Sequence, residues 1–333
     1  LMIKKKYLYD KTFTLENGQT LPALEICYHC SAGAHKGRKV VWICHALTAN
    51  SNPMEWWPSL AGPGKFFDPD KYFLVCANVL GSCYGTTGPV SLDFPVFSVR
   101  DMVKAHELLR EHLQIDSVDL LIGGSNGGFQ ALEWSISNPA VIKELCLIAC
   151  NARISAWGTA LNESQRMALR ADPSFERQDN PEGGKTGLAA ARTVALLSYR
   201  SYEGYCRTQS EDDPECFLAR KACTYHQYQG RKLTDRFNAY SYYYLTLSLD
   251  THNVGRDRDG VENALSRITA RTLCIAIDSD ILFPLSEMEY LTHHIPGARL
   301  VVISSGFGHD GFLLEHEQII NALCKYLNLE AAR

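Results

Sequence analysis

The 333-residue sequence has no long hydrophobic run: nowhere do about 18 consecutive apolar residues, the length that crosses a bilayer, occur together. The first residues, LMIKKKYLYDKTF, are charged and contain no apolar signal core. The chain has no excess of positive charge either, because its formal net charge is −4, which gives no electrostatic reason to expect a nucleic-acid partner. We therefore expect a cytoplasmic protein that binds neither membranes nor nucleic acids.

The sequence also lacks the cysteine spacing of a disulfide framework or a zinc site. Its twelve cysteines are interpreted as small buried side chains, since they occur in apolar segments such as YFLVCANVLG and ELCLIACNA. Cys27 and Cys30 form one C-x-x-C pair, but a zinc site needs a second pair at matching spacing, and the sequence has none. We therefore expect no metal site.

Strand-like and helix-like segments alternate in the first half of the chain. Helical patterns cover residues 99–113 and the residues after Ser125. Alternation of this kind is typical of an α/β fold, a mainly parallel sheet covered by helices. The strand candidates are residues 23–29, 40–45, 72–77, 117–122 and 144–149.

The character of the sequence changes between residues 154 and 263. Helical patterns dominate there, and strand-like segments return only at RTLCIAIDSD and ARLVVISSGFGHD. The last segment, residues 315–327, has the pattern of a closing helix. The sequence therefore predicts a core domain made of residues 1–153 and 264–333, interrupted by a helical insertion at 154–263 that forms a lid over the strand ends.

The segment LIGGSNGGFQALEW places one serine among small residues where a strand gives way to a helix. Gly123-Gly124-Ser125-Asn126-Gly127 fits G-x-S-x-G, the strained turn that presents the nucleophile in α/β hydrolases. A glycine-rich anion-binding loop at a helix N-terminus would also suit this place. The position between an apolar strand and an amphipathic helix favours the nucleophile.

Acid and histidine candidates follow in the order that a hydrolase triad requires. Asp278 and Asp280 lie in DSDILFP after one strand, and His309 lies in GFGHDGF after the next. The carboxyl ends of parallel strands meet at one edge of the sheet, where a site would collect these residues. The residue pattern alone leaves the choice between the two aspartates open.

The segment VWICHALTAN predicts the remaining part of such a site. Its strand ends just before a short loop, the usual position for an oxyanion hole formed by backbone N–H groups. We assign the N–H groups of Leu47 and Asn126 to this role. His45, at the end of the strand, is interpreted as structural.

Seven ordered segments carry a resemblance to a known family: CHALTANS, GPGKFFDPDKYFLVCANVLGSCYGTTGP, GGSNGGFQALEW, YQGRKLTDRF, LDTHNVGR, DSDILFP and GHDGF. Together they resemble the homoserine O-acetyltransferase family, whose members have the α/β-hydrolase fold and act in methionine biosynthesis. The resemblance extends from about residue 13 to residue 327. It implies Ser125 as the nucleophile, His309 as the histidine and Asp280, rather than Asp278, as the acid.

The resemblance also implies three residues that bind the amino-acid substrate: Arg192, Tyr199 and Asp310. Arg192 and Tyr199 are seven positions apart and would share one helix face. An arginine suits a carboxylate and an aspartate suits an ammonium group. The alternative is that Arg192 faces solvent, as most arginines do.

The implied activity is ping-pong transfer of an acetyl group from acetyl-CoA, through acyl-Ser125, to the hydroxyl of L-homoserine. The resemblance implies small-molecule substrates, acetyl-CoA as a co-substrate with no permanently bound cofactor, and a homodimer. The alternatives are an acyltransferase of the same family that uses succinyl-CoA or accepts serine, and an esterase or thioesterase with the same triad. A different class of protein, a non-catalytic hydrolase-fold binding protein, would be expected to have lost a triad residue.

The sequence departs from the family pattern at two places. Asn126 stands where the family usually has methionine or another apolar residue. Its backbone N–H is unaffected, but its side chain could alter the acyl pocket. The segment GTTGPVSLDFPVFSVRDM is shorter than the family pattern between Gly88 and Phe94.

Overall fold

The computed structural model describes residues 1–177 and 179–327. Its central feature is an eight-stranded sheet with the strand order β1-β4-β6-β5-β7-β8-β9-β10, and β2 and β3 form a separate two-stranded sheet. The strands in chain order are β1 Met2–Tyr9, β2 Phe13–Thr14, β3 Thr20–Leu21, β4 Leu24–Ser31, β5 Val40–Cys44, β6 Phe73–Ala77, β7 Val118–Gly124, β8 Ile142–Ile148, β9 Arg271–Ile277 and β10 Arg299–Ile303.

In the sheet order β6-β5-β7-β8-β9-β10 each strand is parallel to the next, whereas β4 is antiparallel to β6 and β1 is antiparallel to β4. Every residue of β5 and β6 is buried, as expected for continuous apolar strands covered on both faces. β6, the next strand in the chain, lies on one side of β5, and β7 lies on the other side. A switch point of this kind opens a crevice at the carboxyl ends of β5 and β7.

Helices cover the sheet and fill the segment between β8 and β9. They are α1 Pro53–Trp56, α2 Val99–His112, α3 Asn126–Ser137, α4 Ala156–Arg170, α5 Lys185–Tyr199, α6 Tyr202–Gln209, α7 Lys221–Thr234, α8 Ala239–Asp250, α9 Val261–Ser266, α10 Leu285–His294, α11 Gly311–Leu314 and α12 His316–Tyr326. The predicted α/β architecture and its mainly parallel sheet are confirmed.

The helices α4 to α8 lie between β8 and β9 in the chain. They contact one another, and α5 also contacts the turn Gly308–Asp310 that follows β10. This contact brings α5 to the edge of the sheet where β5 and β7 end. The division into a core (1–153 and 264–333) and a lid (154–263) stays a prediction; α9 begins before residue 263 and ends after it, and residues 328–333 of the predicted core lie outside the described residues.

The described part of the chain contains no cluster of histidine, cysteine and carboxylate side chains arranged to hold a metal ion. None of its helices combines the length and the hydropathy needed to cross a membrane. All twelve cysteines are free. Cys27 and Cys30 are buried as expected, but the expectation was wrong for Cys206 and Cys223, which are exposed, because they belong to the polar helices of the insertion.

Candidate active site

Ser125 lies at a sharp turn between β7 and α3. β7 ends at Gly124, α3 begins at Asn126, and Ser125 has φ 55° and ψ −123°. A positive φ is costly for a residue with a Cβ atom, so the surrounding structure must hold this conformation. The turn places Ser125 on the wall of a cavity at the carboxyl end of the sheet.

The turn requires glycine at positions 123 and 127, because neither Gly123 nor Gly127 has room for a side chain. A Cβ atom on Gly123 would lie 2.2 Å from the carbonyl oxygen of Gly127, and one on Gly127 would lie 2.1 Å from the carbonyl oxygen of Cys44. Cys44 is paired with Gly123 across β5 and β7. The start of α3 therefore packs directly on the backbone at the end of β5, which explains the glycines around Ser125.

His309 and Asp280 meet in the loops that follow β10 and β9. Nδ1 of His309 lies 2.8 Å from Oδ2 of Asp280, and both residues are buried. Asp278 is exposed, and its carboxylate accepts a hydrogen bond from the backbone N–H of Ser305 (3.0 Å). The geometry thus distinguishes the two aspartates that the residue pattern alone left open.

The Asp280 carboxylate sets the state of the His309 ring. When Nδ1 donates to Asp280, Nε2 is left to accept a proton. Burial lowers the pKa of His309, but the charge of Asp280 and the hydrogen bond outweigh this effect and raise the pKa above its ordinary value. No Ser125–His309 hydrogen bond is among the contacts of the described residues, and catalytic hydrogen bonds of this kind often form only when substrate is bound.

The backbone N–H groups of Leu47 and Asn126 are available as donors. Neither donates to an acceptor within the described residues, and both residues line the same cavity as Ser125. Leu47 lies in the loop after β5, and β5 is the neighbour of β7 in the sheet. The two predicted oxyanion donors are therefore brought to the same cavity wall, close to the turn at Ser125.

His45 holds the loop that carries Leu47. Its Nδ1 donates to the carbonyl oxygen of Ala46 (2.7 Å), and its Nε2 accepts from the backbone N–H of Val79 (3.1 Å). Burial lowers the pKa of His45 to about 4, so the ring stays neutral near pH 7. These contacts agree with the structural role expected from the sequence.

Arg192 and Tyr199 both belong to α5 and line the cavity. The Arg192 guanidinium lies 5.6 Å from the centre of the Tyr199 ring, and its Nη1 is 3.5 Å from Thr48 Oγ1. The Tyr199 ring is in turn 5.8 Å from the His309 ring. Arg192 forms no ion pair with any carboxylate in the described chain, so its charge is available to a ligand.

Asp310 also lines the cavity, but it is already paired. Its Oδ2 lies 2.5 Å from Nη1 of Arg200, and Nη2 of Arg200 is 3.1 Å from the Tyr225 hydroxyl. Burial raises the pKa of Asp310 above its ordinary value, and the positive charges of Arg200, His309 and Arg192 only partly oppose this. Arg200 therefore helps to keep the Asp310 carboxylate ionised.

We call this space, of about 400 Å³, the open cavity. It collects every predicted site residue except Asp280, which lies behind His309. The predicted residues on its wall are Leu47, Ser125, Asn126, Arg192, Tyr199, His309 and Asp310.

A second and much smaller space meets the open cavity at Ser125. This closed pocket has a volume of about 30 Å³, and its wall also includes Leu47, Ser125, Asn126 and Tyr199. The departure from the family pattern at Asn126 thus lies where both spaces meet. Most of the remaining wall is apolar: Phe129, Ile154, Leu161, Leu249, Leu282 and Phe283.

Three cationic residues near the site were missed by the sequence analysis. Arg200 follows Tyr199 directly in SYRSY, and Lys232 and Arg236 lie four positions apart in GRKLTDRF. In a helix, a spacing of four places two residues on one face. This spacing was the sequence signal that Lys232 and Arg236 lie side by side. The pairing of Arg200 with Asp310 left no such signal, because 110 positions separate them.

Comparisons with known proteins identify the fold and the family. A model of the alpha/beta hydrolase fold matches residues 39–315. The chain is 40% identical over 329 residues to the homoserine O-acetyltransferase of Cyclobacterium marinum, in an alignment that covers 96% of this chain and 93% of the relative.

Solved structures with a similar fold include a homoserine O-acetyltransferase and an esterase. The homoserine O-acetyltransferase from Bacillus anthracis has a TM-score of 0.89 and 21% identity, with 99% of each chain covered. Esterase E22 has a TM-score of 0.89 and 19% identity, with 98% of this chain and 100% of the esterase covered. At these identities the two structures bear on the fold alone. The nearly full-length match to the Cyclobacterium marinum protein confirms the family indicated by the sequence motifs: the chain belongs to the homoserine O-acetyltransferase family of the α/β-hydrolase fold.

Proposed function

We propose that the protein is a homoserine O-acetyltransferase, which transfers an acetyl group from acetyl-CoA to the hydroxyl of L-homoserine in methionine biosynthesis. One observation carries the proposal: Ser125, His309, Arg192 and Asp310 line a single cavity. A serine nucleophile beside a free arginine and a carboxylate suits an acceptor that bears both a carboxylate and an ammonium group. An enzyme that only hydrolyses esters needs neither group.

In the first half-reaction, Nε2 of His309 takes the proton of the Ser125 hydroxyl as the oxygen attacks the thioester carbonyl carbon. The negative charge that develops on the carbonyl oxygen is stabilised by the N–H groups of Leu47 and Asn126. The carbon–sulfur bond then breaks, and the CoA thiolate takes the proton from His309 as it leaves. The product is acetyl-Ser125, with His309 neutral again and ready for a second proton transfer.

In the second half-reaction, the hydroxyl of L-homoserine gives its proton to His309 and attacks the acetyl carbonyl. The bond from Ser125 to the acetyl group breaks, Ser125 recovers a proton from His309, and O-acetyl-L-homoserine leaves. Throughout, Asp280 keeps Nδ1 protonated and stabilises the imidazolium that forms at each proton transfer.

Arg192 and Asp310 orient the acceptor for this step. Arg192 binds the carboxylate of homoserine and stacks near Tyr199. Asp310, kept ionised by Arg200, accepts hydrogen bonds from the ammonium group. Holding the two charged groups on the α-carbon fixes the orientation of homoserine and places its hydroxyl near acetyl-Ser125, and an oriented acceptor competes with water far better than a free one.

Residues 154–263 act as a lid in this proposal, because α5 belongs to them and carries Arg192 and Tyr199. The lid excludes water from acetyl-Ser125, since water would hydrolyse the intermediate. The homodimer and the cytoplasmic location implied by the sequence stay predictions. Light scattering of the purified chain tests the dimer, and we expect a mass twice that of the monomer.

The experiment that tests the function is CoA release from acetyl-CoA and from succinyl-CoA, each with L-homoserine, with L-serine or without an acceptor. We expect rapid release only with acetyl-CoA and homoserine, with formation of O-acetyl-L-homoserine identified by mass spectrometry. CoA release at the same rate with and without an acceptor would establish a thioesterase, and Arg192 would then have no role in binding homoserine. Preference for succinyl-CoA or for serine would keep the mechanism and change the substrates.

A further inference from the structure

We propose that Lys232 and Arg236 bind the phosphate groups of the acyl-CoA donor at the mouth of the open cavity. The inference rests on the proposed function, since it concerns how that function's donor reaches Ser125. Lys232 lies in the last turn of α7, and Arg236 lies two residues beyond the end of this helix. Both line the open cavity together with Ser125, so a ligand can reach both cations and the nucleophile within one continuous space.

Neither cation is neutralised by the protein. Within the described chain, Lys232 and Arg236 form no ion pair, whereas Arg200 near the same cavity is paired with Asp310. Both residues are exposed. Unpaired cations at the rim of a cavity attract anions from solution and raise their local concentration.

Arg236 is held in place although it has no carboxylate partner. Its Nη1 donates to the carbonyl oxygen of Thr48 (2.5 Å) and to the Tyr84 hydroxyl (2.9 Å). These neutral acceptors fix the guanidinium without cancelling its charge. A fixed guanidinium with further N–H groups is suited to phosphate, and the flexible Lys232 beside it adds a second positive charge.

Neither carboxylate on the wall of the open cavity is paired with these cations. Asp310 is bound by Arg200 (2.5 Å), and Glu55 keeps its charge but is held by a hydrogen bond from Asn50 Nδ2 (2.9 Å) instead of an ion pair with Lys232 or Arg236. Arg192 serves the carboxylate of the acceptor in the proposed mechanism. Lys232 and Arg236 are then left for the other substrate, and the anionic groups of an acyl-CoA are its diphosphate and its 3′-phosphate.

The donor has no other route to Ser125 along the two spaces that meet there. The closed pocket, at about 30 Å³, holds about two water-sized spheres and cannot admit a nucleotide. The thioester must therefore enter through the open cavity, with its acyl end at Ser125 and its phosphates nearer the rim, where Lys232 and Arg236 lie.

The test compares donors with and without phosphate in the wild type and in Lys232→Met. The donors are acetyl-CoA, acetyl-dephospho-CoA and S-acetyl-N-acetylcysteamine, which has no phosphate, each with saturating L-homoserine. We expect Lys232→Met to raise KM for acetyl-CoA about tenfold, the effect of one charge-assisted contact, with kcat little changed. KM for the phosphate-free thioester should stay the same.

Arg231→Met is the matched control. Arg231 precedes Lys232 in α7, is exposed, does not line the open cavity and is turned by about 100° around the helix. The control removes the same net charge, so it should leave KM for all three donors unchanged. If acetyl-dephospho-CoA loses as much affinity as acetyl-CoA in Lys232→Met, Lys232 binds the diphosphate; if it loses none, Lys232 binds the 3′-phosphate.

Two results would overturn the proposal: an unchanged KM for acetyl-CoA in Lys232→Met, or an equal loss with the phosphate-free thioester. The second would mean that Lys232 acts on the cavity itself and not on phosphate. Failure of the underlying function has a different appearance, because the wild-type protein would then form no O-acetyl-L-homoserine from any of the three donors.

Discussion

The open cavity and the closed pocket share Ser125 but differ in size and in the chemistry of their walls. The open cavity has a volume of about 400 Å³ and carries Arg192, Lys232 and Arg236, whereas the closed pocket has a volume of about 30 Å³ and mainly apolar walls. One side of the nucleophile therefore suits large charged molecules, and the other suits a small apolar group.

This difference separates two kinds of specificity in the proposed reaction. The charged wall of the open cavity selects molecules by their carboxylate and phosphate groups, and CoA and homoserine would use it in turn. In the proposed reaction the closed pocket would select the acyl group by size, because a space of about 30 Å³ suits the methyl group of an acetyl better than a succinyl chain. Single substitutions can alter one side alone or the centre, Ser125, that both sides share.

The largest effect is expected from Ser125→Ala, which removes the centre of both spaces. Without the Oγ atom no acyl-enzyme forms, and removal of a triad nucleophile lowers kcat by about 10⁶-fold in well-studied hydrolases. Intact-protein mass spectrometry after incubation with acetyl-CoA should detect an acetyl adduct on the wild type and none on the variant. Transfer above about one per cent of the wild-type rate would exclude Ser125 as the nucleophile.

Asp280→Asn should lower kcat by about 10⁴-fold, the loss found when a triad aspartate becomes an amide. It should also change the pH dependence. His309 must be neutral to accept a proton, and its pKa is raised by Asp280, so wild-type kcat/KM should fall as the pH drops through a pKa above 6.5. Without the Asp280 charge, this acidic limb should move to lower pH.

The matched control for this change is Asp278→Asn. Asp278 is exposed, and the acceptor oxygen for the N–H of Ser305 is kept by the amide. We expect activity within about twofold of the wild type, as for most surface substitutions. If Asp278→Asn were the damaging variant and Asp280→Asn the mild one, the hydrogen bond between His309 and Asp280 would not have the role proposed for it.

Much of the sheet and of its central serine could be predicted from sequence because the signals are local. The apolar strands β5 and β6 and the glycines around Ser125 follow from neighbouring residues alone. β1 was missed because most of its residues are exposed. An edge strand of this kind, with the sequence MIKKKYLY, carries little hydrophobic signal.

The parts of the site that the residue pattern could not settle depend on contacts between distant segments. The choice of Asp280 over Asp278 required either the family resemblance or the position of His309, 29 positions away. The ion pair of Asp310 with Arg200 joins α5's end to the loop after β10. No local periodicity encodes such a pair, since two segments meet only when the whole sheet has formed.

Arg192→Met tests the open cavity without altering the closed pocket. Loss of the guanidinium removes the charge-assisted contact proposed for the homoserine carboxylate, and we expect KM for homoserine to rise about 100-fold. Acetylation of Ser125 by acetyl-CoA, followed in a stopped-flow burst of CoA, should be nearly unchanged. Arg192→Lys, which keeps the charge, should recover part of the loss, and a variant that acylates slowly but binds homoserine normally would contradict the assignment.

The smallest effect is expected on the closed side, from Leu161→Ala. Leu161 is half-buried and lines the closed pocket, so its truncation creates room next to the acyl group. Butyryl has two more CH₂ groups than acetyl, and each contributes about 0.8 kcal/mol when buried. Transfer of butyryl from butyryl-CoA to homoserine should therefore improve about tenfold relative to the wild type, while the acetyl rate stays within about threefold. Leu161 lines the closed pocket and Lys232 lines the open cavity, so the KM for acetyl-CoA should not change. A change in that KM without any gain for butyryl would mean that the acyl group does not occupy the closed pocket.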